Sequence, residues 1–288
     1  MTWRVLYLDT NHISDLARHA SAPSSVATLR LLQDGSLQLS LTFLHFVELS
    51  AASFCSFPEV KALLDNVPIA WTVSTTELWD AEVAVACAQA KGLVRGPPKP
   101  FCASALGWSR GPDPARGSAG DFLEVMHENQ TLREQLLSVA EDAARLSAMK
   151  TDALIVRHPE LPLYRLIDEH LDDRRSKNPD YAMGLEAAAI VQRVGGREAF
   201  PSACVHQAVI RQRLLDTRQR GTSNDVLDEY HAAYAPYCVA TVLDRRTLSR
   251  VRSAKLDVKY RVTSRLGDIP SLLARVLDQT SNPLPTAD

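Results

Sequence analysis

The chain has 288 residues, 45% of them apolar and 23% charged, which is ordinary for a globular protein and long enough for one large domain or two small ones around a buried core. With 32 basic against 34 acidic residues its formal charge is −2, which excludes a protein that holds nucleic acid by bulk charge, so any phosphate-binding surface must be local. No apolar run approaches the roughly 20 residues that span a bilayer, no leader pattern opens the chain, and five cysteines at no recurring spacing (Cys55, Cys87, Cys102, Cys204, Cys238) fit unpaired thiols in a reducing cytoplasm, not a disulfide framework or a zinc ribbon.

In chain order, residues 3–8 (Trp3-Arg4-Val5-Leu6-Tyr7-Leu8) read as a buried strand that stops on Asp9-Thr10-Asn11. Helices follow at 11–20 and at 25–34, the second ending at Gly35. Leu37 to Leu41 is a strand, Phe46 to Phe54 a helix opened by Glu48, Glu59 to Leu64 a short helix and Ile69 to Val73 a short strand. From Thr76 the pattern changes. Glu77 to Lys91 is helical, then Gly96 to Pro100 and Gly107 to Gly120 form a loop rich in Gly, Pro and Ser. Only helices are expected next: about 121–150, opened by an Asp121/Glu124 capping-box-like pair, then Leu161 to Asp173, Pro179 to Val194 with Asn178 as cap and Gly195-Gly196 as stop, and Ser202 to Gln219.

After the breaker Gly221-Thr222-Ser223-Asn224, a helix runs from Asp225 to Ala235, with Ser223 or Asn224 available as its cap. A second strand, Tyr237 to Leu243, then stops on an acid, Asp244, before a short helix at Thr247 to Ser253. A strand at Val258 to Val262 and a helix from Ile269 to Leu277 complete the pattern, and 279–288 read as a disordered tail.

The chemistry lies in the acids. Asp9 and Asp244 each end a strand, where open α/β sheets hold ligands; Glu48 and Asp225 open helices, and Asp228 lies on the same helical face as Asp225. Carboxylates crowded together repel unless something positive sits among them. All-oxygen donors without a Cys or His cluster favour Mg²⁺ or Mn²⁺ over Zn²⁺. Taken singly, each acid is as readily a turn residue or a helix cap. His12 and His231 sit one turn from proposed ligands, although a core or surface position is the simpler reading of both. Arginines cluster on both sides of the later acids: Arg211, Arg213, Arg218 and Arg220 before Asp225, and Arg245, Arg246, Arg250 and Arg252 after Asp244. Phosphate loops, dinucleotide glycines, a serine-hydrolase elbow and an HExxH pair are all missing from the sequence. The second Asp that haloacid-dehalogenase-like phosphatases need two positions after the first is Asn11 here.

The run Val5-Leu6-Tyr7-Leu8-Asp9-Thr10-Asn11, then Glu48, then Asn224-Asp225, then a strand ending in Asp244, resembles the PIN-domain nucleases. That resemblance implies a three-layer α/β/α fold with a mainly parallel central sheet, formed here by residues 1–75 and 221–278, with 76–220 as a helical insertion. It implies that Asp9, Glu48, Asp225 and Asp244 hold Mg²⁺ or Mn²⁺ for endonucleolytic hydrolysis of RNA. Thr10 and Asn11 would orient the first acid, Asp228 would support the set, and Arg220, Arg245 and Arg246 would draw in the substrate. Compact members act as toxins restrained by an antitoxin, so a protein partner of that kind is one expectation and a stand-alone or defence nuclease another. The alternative from a different class is an inactive PIN-like scaffold whose insertion carries the function.

Overall fold

Strand β1 (Val5–Leu8) consists of four fully buried side chains, Val5, Leu6, Tyr7 and Leu8, the pattern of a strand covered on both faces. The computed structural model describes residues 4–51, 56–90, 92–93, 98–102, 118–135, 137–138, 142, 145, 200–215, 222–254 and 257–281. Among these, one sheet has the strand order β4-β3-β2-β1-β5-β6, with β2 at Gln38–Leu41, β3 at Ile69–Thr72, β4 at Phe101–Cys102, β5 at Ala240–Val242 and β6 at Val262–Thr263. Five strands are parallel, and only the two-residue edge strand β4 runs antiparallel. The fold is therefore α/β with a mainly parallel sheet, and its helices are compatible with three α/β/α layers.

The order of the strands fixes where a ligand belongs. From β1 the chain builds β2 and β3 on one side and later β5 and β6 on the other, so the topological switch point falls between β1 and β5. Their register, Leu6 beside Ala240 and Leu8 beside Val242, sets the two carboxyl ends next to each other. The Asp9 amide extends that pairing by donating to the Val242 carbonyl at 2.9 Å.

Contacts divide the chain into two compact units, Met1–Val73 with Pro100–Gln135 and Tyr234–Asp288, and Ser74–Lys99 with Leu136–Ala233. This division differs from an insertion spanning 76–220. Residues 100–135 join the sheet unit because strand β4 pairs with β3 and because Phe122 packs edge-on against Phe46, ring centroids 4.7 Å apart, while Phe46 stacks on Trp71 at 5.6 Å. The same segment serves the end of the helix Phe43–Leu49, whose last carbonyls have no partner within the helix. Arg133 Nε donates to the Val47 carbonyl at 3.0 Å and Gln130 Nε2 to that of Ser50 at 2.8 Å. The helix Ala119–Glu128 starts at a Ser118/Asp121 capping box, not at Asp121/Glu124. It approaches the helix Phe57–Asn66 so closely at Gly120 that a methyl group there would overlap the Asp65 carboxylate.

Other boundaries shift for local reasons. The second helix is Pro23–Gln33, with proline in its first turn and Gly35 just beyond it at φ 75°. In place of the strand expected at Val258 to Val262, a 3-10 turn at Asp257–Tyr260 precedes the short β6, which keeps only Val262 of it, and the final helix continues from Ile269 to Ser281. Of the proposed tail, 282–288 lie outside the described residues, as do the expected helices at Leu161 to Asp173 and Pro179 to Val194.

The second unit, by itself, is described as helices Thr75–Ala90, Pro201–Leu215 and Ser223–Ala232. It buries charge. The Glu82 carboxylate, fully buried, accepts from the Ser202 amide at 2.8 Å at the start of Pro201–Leu215, where a helix presents free N–H groups and the positive end of its dipole. Arg213 forms a buried ion pair with Glu229. Among the described residues, no helix is long and apolar enough to cross a membrane.

Candidate functional site

The site begins with two near-copies of one turn. After β1 the backbone turns at Asp9 (φ −62°, ψ 157°) into the helix Thr10–Arg18, and after β5 it turns at Asp244 (φ −57°, ψ 160°) into the helix Arg245–Ser253. Each acid is the N-cap of its helix. Asp9 Oδ1 accepts from the Asn11 amide at 2.7 Å; Asp244 Oδ1 accepts from the Arg246 amide at 2.7 Å and Thr247 at 3.2 Å, with Thr247 also 3.2 Å from Oδ2. Because β1 and β5 are neighbours, the two carboxylates offer oxygens within 4.8 Å of each other. Helix N-termini favour negative charge, so each carboxylate is stabilised by its own helix while the pair repel one another.

In the sequence, capping and metal binding look like rival roles for these acids. A carboxylate oxygen that accepts a cap bond keeps a second lone pair, so the geometry allows both at once. The cap bonds of Asp9 use Oδ1, and Oδ2 faces His12, whose Nδ1 lies 3.9 Å away. An oxygen-only pair at this spacing could hold a hard divalent cation and offers no thiolate that would favour zinc.

Glu48 is placed differently from its expected position at the head of a helix. Its helix is Phe43–Leu49, capped by Thr42, and Glu48 lies in the last turn. There it accepts a hydrogen bond from the Thr10 hydroxyl, so it joins the neighbourhood of Asp9 through the next residue in the chain. The Thr10 hydroxyl, expected to orient Asp9, bonds to Glu48 instead. Asn11 contributes its backbone amide to Asp9, and its side chain is exposed.

Asp225 and Asp228 belong to the second unit. Thr222, not Ser223 or Asn224, caps the helix Ser223–Ala232: its amide and hydroxyl donate to Asp225 Oδ2 at 2.9 and 3.0 Å, and the Asp225 amide donates back to the hydroxyl at 3.3 Å. Asp225 is buried and Asp228, one turn on, half-buried. His231 is buried, in keeping with a core histidine. Of the arginines, Arg213 is committed to Glu229 and so is not a free phosphate ligand, Arg250 is buried, and Arg218 and Arg220 lie outside the described residues. Arg245 is exposed and Arg246 half-buried.

The pattern of acids leaves out a residue that holds the first turn in place. His45, fully buried, accepts the Thr42 amide on Nδ1 at 2.9 Å, so Nε2 carries the proton and donates to the Leu8 carbonyl at 2.8 Å. One neutral imidazole therefore ties the end of β2 to the end of β1, immediately before Asp9. Tyr7 packs 5.1 Å from His45 and stacks on Tyr234 at 5.7 Å; burial, with Tyr234 second, pushes its phenol well above the ordinary range and keeps it neutral. The legible signal is Thr42-Phe43-Leu44-His45, a capping-box spacing with histidine in place of Glu or Gln. No family model, characterised protein or solved structure matches the chain significantly.

Proposed function

We propose that the chain is a PIN-like, metal-dependent endoribonuclease. The observation that carries this reading is the pair Asp9 and Asp244 at the switch point of a mainly parallel sheet, with carboxylate oxygens within 4.8 Å. Asp9 and Asp244 would hold Mg²⁺ or Mn²⁺, with Glu48 acting directly or through a water; the resemblance adds the carboxylate of Asp225, and Asp228 would support the set. A bound divalent ion acidifies water and offsets charge developing on a phosphate. The chain's own part is to hold the acids at helix N-termini, to fix their spacing through the β1–β5 register, and to supply cations for the substrate from Arg245 and Arg246.

The second reading, an inactive PIN-like scaffold, draws on the fact that both acids already serve as caps. A Mn²⁺-dependent cleavage assay on single-stranded RNA separates the two. Wild type is expected to cut and Asp9→Asn, which preserves shape and removes charge, to lose about 100-fold or more, beyond the 10–100-fold typical of groups that merely support a metal ligand. Equal activity in both proteins, or none in either, favours the scaffold.

A further inference from the structure

The helix Arg245–Ser253 and the segment after β6 enclose an open groove of about 590 Å³. Arg245, Arg252 and Arg265 line it together with Ser249, Ser253 and Ser264, over the side chain of Leu248. Arg245 and Arg252 are two helical turns apart and so share a face, and Arg265 comes from the other wall. Among the described residues, no carboxylate lines the groove and none of the three guanidinium groups has a hydrogen-bond or ion-pair partner. The other arginines flanking the later acids differ: Arg213 is paired and Arg250 buried.

Two of the groove's lining residues adjoin the acids. Arg245 follows Asp244 directly, and the carbonyl of Ser264 accepts from His12 Nε2 at 3.3 Å, with His12 Nδ1 lying 3.9 Å from Asp9. The polar lining consists of guanidinium and hydroxyl groups, which suit phosphate oxygens, and among the described residues it contains no aromatic ring on which a base could stack. Contacts of this kind position a strand without reading its sequence.

We infer that this groove binds the phosphodiester backbone of a nucleic acid by its phosphates, independently of base identity, and leads it to Asp9 and Asp244. The inference deepens the nuclease reading and rests on it for the cleavage step, though not for binding. The test is fluorescence anisotropy of labelled oligo(U) and oligo(A), as RNA and as DNA, in EDTA so that nothing is cut. Full-length wild type is compared with Arg245→Gln/Arg252→Gln/Arg265→Gln and with Arg275→Gln, an exposed arginine on the last helix, as control; melting curves establish that each is folded. The triple variant should weaken all RNA probes by a similar factor, on the order of tenfold, and reduce the slope of log affinity against log salt by about 2, the loss expected for three single-strand phosphate contacts. The DNA arms show whether the 2′-hydroxyl contributes. Wild-type affinity and slope in the triple variant, loss confined to one base, or no binding by wild type would each overturn the groove. Arginine-dependent binding without any Mn²⁺-dependent cleavage leaves the groove standing and removes the nuclease; cleavage abolished by Asp9→Asn but unaltered in the triple variant does the reverse.

Discussion

Asp9 is 4% exposed, accepts the Asn11 amide and is backed by the Thr10–Glu48 hydrogen bond and by His45 on the preceding carbonyl; Asp244 is half-buried, accepts the Arg246 and Thr247 amides and is followed by Arg245 and Arg246. The backbone angles at the two turns agree within a few degrees, yet one turn is braced from inside the sheet unit and the other opens onto arginines. Near-identical local geometry thus arises from the same short instruction, an apolar strand followed by Asp and a helix. The surroundings differ: the first acid is held from inside the sheet unit, and on the proposed reading the second would lie where a phosphate enters. The sharpest way to break this comparison is to neutralise each acid separately. If both hold one cation, Asp244→Asn should lose Mn²⁺-dependent cleavage to the same order as Asp9→Asn, about 100-fold or more; a loss confined to Asp9 would show that the pair does not act together.

The bracing of the first turn can be tested without any activity. Replacing His45 by Phe keeps a ring in the core but leaves the Leu8 carbonyl and the Thr42 amide buried and unpaired. Each orphaned group costs about 1–3 kcal/mol, so the variant should lose roughly 2–6 kcal/mol in urea unfolding. Among the described residues no buried histidine supports Asp244 in this way, so any accompanying loss of metal binding should trace to Asp9. An unchanged midpoint would mean that His45 merely fills space. Thr10→Val, which keeps the shape and removes the donor to Glu48, should cost less, about 1.5 kcal/mol, the lower end for a hydrogen bond to a charged acceptor.

The first turn is clear in the sequence because β1 is uniformly apolar, its helix is amphipathic and the acid stands between them. Asp244 is legible for the same reason. Glu48 stands out as a candidate but is misplaced within its helix, because Thr42, the true cap, precedes an apolar Phe43-Leu44 that reads equally well as the end of the strand. The 3-10 turn at 257–260 reads as a strand because Val258 and Tyr260 alternate with charged residues, and periodicity over so few residues does not separate the two. The groove is only half visible. Arg245 and Arg252 stand in one cluster, whereas Arg265 lies beyond β6 and meets them only because β6 pairs with β5, a long-range fact that no local pattern carries.

The smallest expected effect bears most directly on whether the two acids are more than caps. Two carboxylates at this spacing repel by about 1 kcal/mol in water-like surroundings and several times that where solvent is displaced. Asn caps a helix as well as Asp, so Asp244→Asn keeps the cap and gives up only the helix-dipole contribution, roughly 0.3–1 kcal/mol. In EDTA the variant should therefore melt above wild type, by about 2–4 °C for a net gain near 1 kcal/mol. In saturating Mn²⁺ the order should invert, because wild type gains the free energy of binding and the variant gains little of it. A variant that melts below wild type in both conditions would mean that capping dominates and that no cation is needed to hold the two turns together.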